Sequence, residues 1–97
     1  MKKFFGHPKF YKILEELREL HSRKNHDYAT SDDPLSNFKE AERLGIPAWK
    51  GCLIRMSDKW CRLIELSKKE GMNESIEDTL RDLAVYSIIA IILYEEK

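Results

Sequence analysis

Apolar residues in this chain recur every three or four positions and nowhere alternate with polar ones over the length of a strand. That spacing lays a stripe along one side of a helix and gives no half-buried sheet. In PKFYKILEELRELHSRK, Phe10, Ile13, Leu14, Leu17 and Leu20 form such a stripe on a helix starting near Pro8. The next stretch, KNHDYATSDDP, loses periodicity and fills with Asp, Asn, Ser and Pro, as a loop does. PLSNFKEAERLG reads as a short helix with Pro34 in its first turn and Gly45 ending it. A long helix is expected from about Pro47 to Lys69, closed by Gly71, with Trp49, Leu53, Met56, Trp60 and Leu63 on its buried side. A last helix is expected from about Glu74 to Glu95, capped by Asn73 or Ser75. No Asn-Gly or Asp-Gly hairpin turn occurs. The expected fold is all-α, one domain over residues 1–97, a small bundle of three main helices plus one short helix.

Charge narrows the classes of partner. The 17 basic and 17 acidic residues cancel, although 35% of the chain is charged. A protein that grips nucleic-acid polymers non-specifically is usually strongly basic, so no such polymer is expected. The longest greasy run, SIIAIILY, is far shorter than a membrane span, and MKKFFGHPKF holds no apolar run fit for a signal peptide. Cys52 and Cys61 fall on opposite faces of the long helix, about 13 Å apart along its axis. Two reduced thiols and a cytoplasmic location follow as expectations. His7, His21 and His26 are scattered and suggest no histidine metal site. In VYSIIAIILY, Val85, Ile88, Ile89, Ile91 and Ile92 point in nearly all directions, more than three helices of one chain cover. We therefore expect a homo-oligomer.

The acids of ESIEDTLRDLAVY carry the chemical question. At 100° per residue, Glu74, Asp78 and Asp82 fall within about 80° of arc on successive turns. Ile76, Leu80, Leu83, Ala84 and Ser87 lie opposite, so the core face and the acidic face read as separate. Further along, the acidic stripe becomes Val85, Ile89 and Ile92. Stacked like charges repel, an effect that the helix dipole partly offsets near an N-terminus. On the preceding helix, RMSDKWCR turns Arg55, Asp58, Lys59 and Arg62 away from Met56 and Trp60. Two arrangements fit these faces: interhelical salt bridges, or a Mg²⁺ site of carboxylates rimmed by phosphate-binding cations.

KNHDYA, PLSNF, GIPAWKG, IRMSDKWCRL and ESIEDTLRDLAVY, in this order from Lys24 to Tyr86, resemble the phage-type nucleotide-modification-associated domain. That domain is in turn similar to the all-α nucleoside-triphosphate pyrophosphatases of the MazG and dUTPase type. These are helical, oligomeric enzymes that use carboxylate-held Mg²⁺. The resemblance implies Glu74, Asp78 and Asp82 as metal-side acids, with Asp58 and Asp78 catalytic. It implies Lys24, Arg55, Lys59 and Arg62 as phosphate contacts, Asp27, Tyr28 and Asn37 near sugar or base, and Trp49 as a stacking surface. The pyrophosphatases' ExxE and ExxD pair is incomplete here: the first helix of the pair offers only Asp58, and Glu74 is followed at i+3 by Glu77. The implied function is a nucleotide-handling protein that binds a phosphate group and, as a Mg-dependent pyrophosphohydrolase, hydrolyses it. The alternative is a non-catalytic protein of the same fold that sequesters nucleotides, for instance against a host cyclic-nucleotide signal.

Overall fold

The computed structural model describes residues 3–28 and 35–97, with the backbone alone at 27 and 28. Its described residues form three α-helices and one 3₁₀ helix, with no strand among them. Pro8 opens α1 (Pro8–Tyr28), where a missing N–H leaves nothing unpaired. The helix runs one turn past Lys24, because Asn25, His26, Asp27 and Tyr28 include no Gly or Pro to stop it. The start of the expected loop is thus helical, and its remainder, 29–34, lies outside the described residues along with Pro34.

The short helix is a 3₁₀ helix over Ser36–Leu44. Gly45 ends it in the left-handed conformation (φ 77°) that only glycine adopts readily. Its N–H donates to Glu42 O at 3.0 Å, and that of Ile46 to Ala41 O at 3.1 Å. Pro47 then sets an extended residue ahead of α2 (Ala48–Ser67). Five residues turn the chain into α3 (Asn73–Glu95), which packs along α2 as a hairpin. Neither expected cap is used: Met72 stands at the N-cap without a side-chain cap bond, and its carbonyl takes the Ile76 N–H at 3.0 Å.

The core lies where Ala48 and Cys52 of α2 meet Ile89 and Leu93 of α3 beneath Leu35. Small residues set this approach. A Cβ on Gly51 would stand 2.6 Å from the Ala41 Cβ, so glycine is what lets the 3₁₀ helix rest on α2. The buried side of α2 is Ala48, Cys52 and Leu63, rotated from the expected one. Met56 packs at its margin, whereas Leu53 and Trp60 stay exposed. The reading of α3 needs a similar correction. Its inward line runs through Thr79, Ile89 and Leu93, with Asp82, Val85 and Tyr86 half-buried beside them, while Leu80 is exposed. Asp82 lies about 20° from Ile89 around the helix, so the acidic stripe and the core share a face.

Helix α1 rests lightly on this hairpin. Leu17 is buried and Leu20 half-buried, but Phe10, Ile13 and Leu14 of the same stripe are exposed. Among the described residues, two ion pairs tie α1 to α3: Arg81 to Glu16 at 3.3 Å and Lys24 to Asp82 at 3.0 Å. Among the described residues, no helix is long and apolar enough to cross a membrane.

Candidate functional site

A cavity of about 480 Å³ opens where α1, the 3₁₀ helix, α2 and α3 meet. Leu20, His21, Lys24 and Asn25 line it from α1, and Asn37 and Phe38 from the 3₁₀ helix. Arg55 comes from α2, and Asp82, Val85, Tyr86 and Ile89 from α3. Ligand pockets commonly hold about 300–1,000 Å³ and combine an apolar wall with a few converging polar groups.

Asp82 is the electrostatic centre. Its Oδ1 accepts from Lys24 Nζ at 3.0 Å and its Oδ2 pairs with Lys59 Nζ at 3.2 Å. Burial pushes the carboxyl pKa up, but the hydrogen bonds and charges of the two lysines outweigh it, and the net shift is downward. Asp82 is therefore a fixed negative charge at neutral pH, held between two cations.

Arg55 and Asn37 form another part of the wall. The Arg55 guanidinium lies 4.9 Å from the Phe38 ring centroid, and its Nη2 donates to the Asn37 carbonyl at 3.5 Å. Most of its five N–H donors remain for an anion. Phe38 in turn meets Tyr86 edge to face, 5.9 Å between centroids. The Asn37 Oδ1 is buried and accepts no hydrogen bond. Behind this wall, the Cys52 thiol donates to the Tyr86 carbonyl at 3.3 Å. Its burial raises its pKa against the opposing charge of Arg55, so it is a neutral packing group.

Comparison with protein-family models, with curated proteins and with solved structures returns no match. The site therefore stands on its own geometry.

Of the residues singled out in the sequence, the structure brings Lys24, Asn37, Arg55, Lys59 and Asp82 together. It does not bring in the others whose side chains are described. Glu74 and Asp78 are exposed on the first turns of α3, and Asp58 and Arg62 are exposed on α2. Trp49 sits at a separate hollow of about 220 Å³, edge-on to Tyr94 at 5.1 Å, where its ring packs the helix ends. The side chains of Asp27 and Tyr28 lie outside the described residues.

The carboxylates were expected to converge on Mg²⁺. Among the described residues of one chain, no three His, Cys, Asp or Glu gather as a metal set. Asp82, the acid that does reach the cavity, already faces two ammonium groups. The described residues of one chain do not fit a Mg²⁺ site, because cations crowd Asp82, the described carboxylate that reaches the cavity.

His21 and Asn25 were missed. The signal was present: the stripe of Leu17 and Leu20 continues at helical spacing through His21, Lys24 and Asn25 once α1 is extended by a turn.

Proposed function

We propose that this chain binds a nucleotide, with the phosphate at Lys24 and Arg55 and the base against the apolar part of the cavity. One observation carries this reading. Two cations, an aromatic pair and Asn37, whose side-chain oxygen is buried and unbonded, line a single cavity of about 480 Å³. Charge-assisted bonds to phosphate contribute roughly 1.5–3 kcal/mol each, and stacking a base on an aromatic roughly 1–3 kcal/mol. The resemblance to the phage-type nucleotide-modification-associated domain, and through it to the MazG-like fold, points to the same ligand class. Because the described acids do not gather as a metal set, binding without hydrolysis is the reading supported best. That is the sequestering alternative. We further propose that the protein works in the cytoplasm as a homo-oligomer, since Trp60, Ile64, Leu80, Ile88 and Ile91 leave apolar surface on α2 and α3 uncovered.

The test is calorimetric titration with a panel of nucleotides, with and without Mg²⁺, followed by chromatography of the mixtures. Retained and unchanged nucleotide is expected. Arg55→Ala should weaken binding at least about tenfold, as loss of one charge-assisted contact does. Cleaved nucleotide would replace this reading with an enzymatic one, and no binding would remove it.

A further inference from the structure

The charges around the cavity bear on how many phosphates it takes. Among the described residues, Lys24 and Lys59 pair with one carboxylate, Asp82, and Arg55 lines the same cavity. Lys24 and Lys59 share Asp82, so these three cations and one carboxylate sum to two net positive charges, and Lys24 and Arg55 are the cations that line the cavity. The described lining residues include no further Lys or Arg. A phosphate monoester carries about −1.5 to −2 charges at neutral pH and matches that pair. A triphosphate brings more negative charge than two cations offset, and sites that hold one add Mg²⁺ or further cations. A cyclic mononucleotide, a phosphodiester with a single charge, leaves one cation unmatched.

The second clue is Asn37. A buried acceptor without a partner costs about 1–3 kcal/mol, so native proteins rarely keep one. Asn37 Oδ1 is such an atom, and its residue lines the cavity between the cationic Arg55 and the apolar Phe38. A ligand that donates an N–H there satisfies it. The exocyclic amines of adenine, cytosine and guanine and the ring N–H groups of guanine and thymine are donors of that kind, carried on a flat face that suits the wall of Phe38, Val85 and Tyr86.

Resting on the nucleotide-binding reading, we infer that the cavity selects a nucleoside monophosphate, with its phosphate between Lys24 and Arg55 and a base N–H donated to Asn37 Oδ1. Asn37 is then a specificity-determining residue.

Titration of the intact protein with adenosine, cytidine, guanosine and thymidine monophosphates, adenosine triphosphate, 3′,5′-cyclic adenosine monophosphate and ribose 5-phosphate tests this. The best monophosphate should bind at least about tenfold tighter than the triphosphate or the cyclic form, the scale of one charge-assisted contact. It should also exceed ribose 5-phosphate by about fivefold or more. Asn37→Leu should bring that monophosphate down to the ribose 5-phosphate level while ribose 5-phosphate itself is unchanged. Equal or tighter binding of the triphosphate or the cyclic form overturns the inference and leaves nucleotide binding standing. So does a monophosphate affinity that Asn37→Leu does not alter. If none of these compounds binds, the nucleotide reading fails with it. The comparison of monophosphate with ribose 5-phosphate uses the unaltered protein, so misfolding of the variant cannot mask the result.

Discussion

Gly51 and Asp82 are the residues on which the local architecture turns. Gly51 is in the first turn of α2, inside the helix, where alanine would ordinarily gain up to about 1 kcal/mol of helix propensity. Here the added Cβ meets the Ala41 Cβ, a short branch with no room to swing aside. Overpacking of this kind costs about 1–3 kcal/mol, so Gly51→Ala should lower stability despite its better propensity. Urea denaturation should give a lower midpoint with an unchanged slope. Asp82 sets a pH dependence. Its folded pKa lies below its ordinary value, so its contribution is present in full above the unfolded pKa. That contribution is lost as pH falls through the folded one. Asp82→Asn should therefore flatten the acid limb of the stability curve, measured by urea denaturation at stepped pH. An unchanged acid limb would remove the two-lysine pairing as its cause.

At the scale of elements, α2 and α3 carry the core and α1 leans on them. Asp82→Asn takes one of the two described ion pairs that hold α1 to α3. Because Lys24 is half exposed, solvent screens much of that pairing and the loss is local. Amide exchange should speed up in α1 and stay unchanged around Ala48 to Cys52, away from Lys59. The same division explains what was legible in the sequence. Helix existence was readable, since each element carries its own 3.6-residue stripe or terminal Pro and Gly. The faces were not. Counting large apolar residues selected Trp60 and Leu80, whereas the observed contact is made by small ones, Ala48 and Cys52, which let helices approach closely. Asp82 read as part of an acidic face separate from the core, in line with Glu74 and Asp78. Only the neighbouring lysines, distant in sequence or on another helix, turn it inward. Lys24, Lys59 and Arg55 could be listed from sequence, but their convergence depends on where α1 crosses the hairpin. Trp49 was drawn to the site by the resemblance, as a stacking surface, and packing places it elsewhere.

The whole molecule is flat, 44 × 39 × 23 Å, and its radius of gyration of 15.4 Å exceeds the about 12.5 Å of a compact chain this long. Phe10, Ile13 and Leu14 of α1, with the apolar residues left open on α2 and α3, account for that excess as surface without a partner. A second copy of the chain would cover it. Light scattering at micromolar concentration should accordingly give a multiple of 11.5 kDa, and a mass equal to the single chain would reject the proposed oligomer. The cavity stands apart from that question, since four elements of one chain build it. Its proposed occupancy is most directly tested by a crystal structure grown with a saturating nucleoside monophosphate. The account predicts ligand density between α1 and the hairpin, with the phosphate at Lys24 and Arg55 and a base N–H on Asn37 Oδ1. Density at the Trp49 hollow instead, or a cavity holding only solvent at saturating ligand, would contradict it.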